Sequence, residues 1–173
     1  TAENFNNGNA SIAARNSNNV ILWSWHIWCS EEGWNDHIYA NNAGTMMDRN
    51  LGATSATPGD VGVLGLLYQW GRKDPFLGRA SIYMSDIKAE SSLPFEGAVE
   101  EDQDTGTIDY SVSHPTMLIA GDLNSSSCDW LYVESNADGQ YFRWDARKTV
   151  YDPCPAGWRV ASGGYDGPLY CSG

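Results

Sequence analysis

The chain has 173 residues, 42% hydrophobic and 18% charged, with 10 basic side chains against 22 acidic ones for a net charge of −12. That length suits a single domain over residues 1–173, burying on the order of 70% of its unfolded surface, and leaves little room for two. The acidic field makes nucleic acid and anionic membrane poor partners, and the sequence holds no apolar run of about 18 residues for membrane insertion as a helix.

Gly, Asn and Ser are plentiful and long Ala/Leu/Glu/Lys runs are missing, which points to strands and loops. Residues 1–9 are polar and lack the basic and apolar regions of a signal peptide. Cys29, Cys128, Cys154 and Cys171 are an even set without C-x-x-C spacing. They are candidates for one or two disulfides rather than a zinc site, and two bridges allow three pairings.

In chain order, residues 8–14 read as a strand, 15–19 as a polar turn tolerant of left-handed backbone, and 20–29 (V-I-L-W-S-W-H-I-W-C) as its hairpin partner. Alternation puts Ile21, Trp23, Trp25, Ile27 and Cys29 on one wholly apolar face, with Leu22, Ser24, His26 and Trp28 on the other. A buried large aromatic contributes roughly 1.5–3 kcal/mol, so the apolar face is expected to be covered and to anchor the core beneath one twisted sheet. His26 is expected on the half-exposed face, with no second His at metal-ligand spacing.

Residues 30–42 form a polar loop holding Trp34-Asn35-Asp36, and 45–52 a short strand running into a turn. The best helix signal covers 57–71: Thr57 as N-cap, Pro58 first, Asp60 three on, and Leu64, Leu67, Tyr68 and Trp70 laid on the sheet. Gly71 ends it, with Arg72 and Lys73 near the negative pole of its dipole, and Asp74-Pro75 stops it.

The pattern over 77–113 is weak, with 80–84 a candidate strand and 90–107 an acidic solvated loop. Glu100, Glu101, Asp102 and Asp104 lack the strict oxygen spacing of a calcium loop. Residues 117–120 read as a buried strand, 124–128 as a loop, and 130–133 with 141–144 as a hairpin around 136–139. Pro153 and Pro155 flank Cys154 in a rigid bend, after which 157–161 is expected to enter the sheet; 162–173 is a Gly-rich tail.

Four ordered runs, I-L-W-S-W-H-I-W (21–28), M-M-D-R-N-L-G-A (46–53), G-L-L-Y-Q-W-G-R-K-D-P-F (65–76) and D-P-C-P-A-G-W-R-V (152–160), resemble the Fibrobacter succinogenes major paralogous domain of Bacteroidetes surface lipoproteins and fimbrillin-like proteins. The resemblance covers about residues 8–161 and departs at Ala161, where the family usually has Pro. It implies an α+β, C-type-lectin-like fold, a mostly antiparallel twisted sheet with one or two short helices, similar to the formylglycine-generating-enzyme group. It further implies an extracellular location at the outer membrane or a fimbrial tip, and in some relatives a diversified C-terminal ligand face.

Catalytic patterns are missing from the sequence. His26, His37 and His114 lie in no nucleophile elbow or paired-His motif, and the P-loop, G-x-G-x-x-G and H-E-x-x-H patterns do not occur. Trp34-Asn35-Asp36 spells a tripeptide of sugar-binding lectins but sits too early and lacks its Glu-Pro-Asn partner. Cys154 with Cys171, as a copper-dependent oxidase dithiol, is disfavoured by the rigid Pro-flanked turn.

The expectation is therefore a non-catalytic recognition or adhesion module, without cofactor or metal, taking a host or bacterial surface protein or a glycan. Its contact candidates are Trp34, Tyr39, Tyr165 and Tyr170, aromatics outside the periodic core. The alternatives are a pilus or surface-assembly subunit joined to neighbouring subunits by strand addition, and a formylglycine-generating-enzyme-like oxidase.

Overall fold

The hairpin written into residues 8–29 forms in the computed structural model, which describes residues 6–40, 44–77, 93–121, 129–132, 144 and 147–161. Strand β1 (Gly8–Arg15) pairs antiparallel with β2 (Ile21–Cys29), from Gly8 opposite Cys29 to Ala14 opposite Trp23. Asn16 shapes the turn: its Oδ1 accepts from the N–H groups of Asn18 and Val20, and Asn19 takes the positive φ of 64° that Asn tolerates.

Burial along β2 does not follow the expected face: Trp23 of the apolar face is half-buried, and Leu22 of the other is 56% exposed. Ser24 is buried, whereas Trp25 is 47% and Ile27 39% exposed, as is Ile12 (54%) across the pair. Local polarity misleads here because the Ser24 face meets hydrogen-bonding groups from residues 52–74, which satisfy its polar atoms and remove the cost of burying them.

Strands β3 (Asp36–Ile38) and β4 (Thr45–Met47) form a second antiparallel pair, so the loop expected over 30–42 contains a strand. The helix expected over 57–71 does not form. A single 3-10 turn spans Val61–Leu64, capped by Asp60, whose carboxylate accepts from Gly62 N–H; Thr57 is not the N-cap. Gly65, at φ 65°, ends it, and the chain reverses into β5 (Leu67–Tyr68) and β6 (Pro75–Phe76). Gly59, Gly62 and Gly65 make the segment a poor helix, each costing about 1 kcal/mol relative to Ala. Leu66 is buried in place of Leu67, which is 57% exposed, and Arg72 and Lys73 are buried instead of flanking a helix end.

The acidic segment expected to be loop contains a strand, which pairs in parallel with the strand expected over 117–120. Strand β7 (Gly97–Glu100) leads through α1 (Ile108–Ser113) to β8 (Met117–Ala120), with Gly97 opposite Met117 and Glu100 opposite Ala120. Thr107 starts α1, its Oγ1 accepting from Tyr110 N–H at 3.1 Å. Ile119, Trp130 and Leu131 form a buried cluster beside this unit, with Val99, Ile108 and Tyr110 packed against it.

Among the described residues the strands form four two-stranded sheets, three antiparallel and one parallel, with one short α-helix. The architecture is sheet-rich with little helix, and among the described residues the strands pair two by two without joining into one sheet. Residues 157–161 do not enter a strand. Candidate strand 80–84, loop 124–128 and most of the 130–144 hairpin lie outside the described residues.

Candidate functional site

Three of the sequence runs are wired together by β2. His26 Nε2 lies 2.8 Å from Asn9 Oδ1, and Asn9 Nδ2 donates to Gly52 O at 2.8 Å. Because that amide bond directs Asn9 Oδ1 at the ring, His26 carries its proton on Nε2, and the Tyr68 hydroxyl donates to Nδ1 at 3.0 Å. Burial lowers the His26 pKa to about 4 and pushes the Tyr68 phenol upward. Trp28 Nε1 adds a bond to Ala53 O at 2.9 Å.

Beside it, Ser24 Oγ donates to Asp74 Oδ1 at 2.6 Å and accepts from Lys73 Nζ, which also reaches both Asp74 oxygens at 2.9 and 2.8 Å. Lys73 further sits 4.5 Å from the centre of the Trp23 ring. Burial lowers the Lys73 pKa against the pull of Asp74. A Ser beside a Lys resembles a nucleophile and its base, but Ser24, Lys73 and Asp74 are 3%, 8% and 4% exposed and spend their bonds on one another. Their arrangement joins β2 to the start of β6.

Arg72 lies between two aromatic rings, 5.1 Å from the centre of Phe76 and 5.7 Å from that of Trp130. Its guanidinium donates to Met117 O, Ser111 O and His114 O at 2.9, 3.3 and 3.1 Å. It thereby clamps the end of α1 and the start of β8 onto the β5–β6 hairpin.

A groove of about 970 Å³ runs along β4, with Val63 on its lining and residues 157–161 as a further wall. The β4 wall is fixed by Arg49, whose Nε donates to Asp48 Oδ1 at 2.8 Å and whose side chain also reaches Ser30 Oγ at 3.2 Å. Arg49 holds the Asp48 carboxyl down at about 2. The facing wall is fixed by Asp152, which accepts from Lys148 Nζ, Cys154 N–H and Val160 N–H at 2.9, 2.9 and 2.8 Å. Burial raises the Asp152 pKa, but these donors outweigh it and the net shift is downward. Tyr39 and Trp158 supply the aromatic surface, and Met46 and Met47 the adaptable one.

Of the four predicted contact residues, Tyr39 lines this groove and is 42% exposed. Trp34 is half-buried and stacks on Trp28 at 5.0 Å; its neighbour Asn35 donates to Asp48. Tyr165 and Tyr170 lie outside the described residues, as do Cys128 and Cys171. Cys29 and Cys154 carry free thiols. Cys154 lines the groove, and burial followed by the Asp152 charge pushes its thiol up to about 12, away from nucleophilic chemistry. The acidic loop spends Asp102 Oδ1 on Asp104 N–H and Thr105 N–H, and among the described residues no three His, Cys, Asp or Glu side chains cluster as metal ligands. Sequence reasoning missed Met46, Met47, Trp158 and Arg159 as lining; the short strand and the Pro-flanked bend were the available signals.

No family model, curated protein or solved structure matches this chain.

Proposed function

We propose that the chain is a non-catalytic extracellular recognition module, C-type-lectin-like in fold, of the cell-surface or fimbrial-tip type that the sequence runs resemble. The observation that carries this reading is the groove. It is open, lined by Tyr39 and Trp158, and framed by two backbone segments held rigid by Asp48–Arg49 and Asp152–Lys148. Ser24, Lys73 and Asp74, by contrast, are buried in mutual hydrogen bonds, and Cys154 is held as a thiol.

The test is binding of the whole chain to arrays of glycans and of surface proteins, repeated with Tyr39→Ala and Trp158→Ala. Each substitution is expected to weaken binding by about tenfold or more with the thermal melt unchanged. Binding unchanged by both would remove the groove from the reading. A surface-assembly role is the second reading, favoured by the exposed apolar face of the β1–β2 hairpin at Ile12, Trp25 and Ile27. Concentration-dependent self-association that Trp25→Ser abolishes would establish it.

A further inference from the structure

The backbone along the groove specifies its ligand more narrowly than the side chains do. In the β3–β4 pair, Tyr39 N–H donates to Gly44 O at 3.1 Å and Asp48 N–H to Asn35 O at 3.0 Å. Antiparallel pairing alternates hydrogen-bonded and non-bonded pairs, so these two fix the phase of the ladder: His37 and Met46 exchange bonds, while Thr45 and Met47 do not bond to β3. Thr45 and Met47 therefore turn their N–H and C=O groups away from β3. Among the described residues β4 has β3 as its sole strand partner, and no backbone group pairs with Thr45 or Met47 on that outer side. Both residues line the groove.

We infer that the groove takes an extended peptide segment of a partner protein, added as a strand to the outer edge of β4; this rests on the groove being the recognition site. Two donor–acceptor pairs on alternate residues, about 6.8 Å apart, match the repeat of another strand, whereas ring hydroxyls of a sugar have no such spacing. The edge is otherwise a liability, since an unpaired strand invites uncontrolled pairing. Here residues 157–161 also line the groove.

Charge points the same way. Within a chain of net charge −12, the ionic lining of the groove is balanced, Asp36 and Asp48 against Arg49 and Arg159. Met46, Met47, Leu51, Val63 and Val160 are among the apolar residues of the lining. The favoured segment is uncharged, with apolar side chains at alternate positions.

The test pans a displayed library of random linear dodecapeptides against the whole chain, with a glycan array in parallel. Expected are peptides of alternating apolar pattern whose binding slows amide exchange at Thr45 and Met47 at least tenfold and leaves Met46, already bonded to β3, little changed. N-methylation of alternate peptide amides should abolish binding. Met47→Pro should weaken it at least tenfold while preserving the melt, because that N–H takes no part in β3–β4 pairing. If Met47→Pro fails to fold, the N-methyl series and the exchange pattern decide. Peptides that bind without protecting Thr45 and Met47, or glycans bound in a Trp158-dependent but Met47→Pro-insensitive way, overturn strand addition and leave the groove as the recognition site. Absence of any binder in either format overturns both.

Discussion

His26 is held neutral by its surroundings. The ring donates to Asn9 and accepts from Tyr68, so an added proton meets a hydroxyl that must turn around and a site from which water is largely removed. Its folded-state pKa of about 4 lies below the ordinary histidine value of 6.5. The unfolded chain therefore takes up the proton first as pH falls, and stability is full above 6.5 and lost between 6.5 and 4. With residual solvent contact discounted, the loss is about 2 kcal/mol. Urea midpoints measured from pH 7 to 4.5 should fall, and His26→Gln should flatten that part of the profile. Cys154 offers a second check at the same scale. A thiol pushed up to about 12 is almost wholly protonated at pH 8, so peptide mapping after iodoacetamide should find it alkylated at least 100-fold more slowly than a free model thiol.

At the level of elements, the segment between β4 and β5 shows how local signals lose to tertiary contact. Thr57-Pro58-Gly59-Asp60 does carry helix-starting chemistry, and Asp60 does cap a turn. The turn stops after four residues because Gly65 adopts φ 65° with Leu51 O 2.6 Å from where a Cβ would sit, and Leu66 N–H bonds Leu51 O at 2.8 Å. Gly65→Ala should therefore cost roughly 2 kcal/mol or more. Gly59 also has positive φ, at 89°, but a Cβ there meets nothing within 4 Å, so Gly59→Ala should cost about 1 kcal/mol. Chemical denaturation of the two variants side by side reads the difference. The β1–β2 hairpin was legible because its cues are local: alternation, and an Asn-rich turn that needs one left-handed residue. Of the β7–α1–β8 unit, β8 was legible as the apolar run 117–120, but β7 and α1 were not, since a strand of four residues and a helix of six give too short a window for periodicity to register.

For the molecule as a whole, the decisive contact is Arg72. It ties the β5–β6 hairpin to the β7–α1–β8 unit through three carbonyls while lying between the rings of Phe76 and Trp130, and Gln69 reinforces the joint by exchanging bonds with the Ile119 backbone at 2.7 and 3.2 Å. A lysine supplies the charge but not the planar fork, so Arg72→Lys should destabilise by about 3 kcal/mol and speed amide exchange in α1 and β8 more than in β1. Equal acceleration everywhere would show instead that Arg72 supports the fold evenly.

The sequence by itself determined the hairpin at the N-terminus, the preponderance of strand over helix, and the turn points at glycine and proline, because each depends on backbone preference within a few residues. Only the tertiary structure decided which residues of β2 are buried, that G-R-K-D becomes a buried ionic joint, and that among the described residues β4 keeps an open edge along a groove. Those outcomes depend on hydrogen-bond partners about fifty residues away along the chain, as with Ser24 and Asp74, and a polar side chain carries no local mark of whether such a partner will arrive.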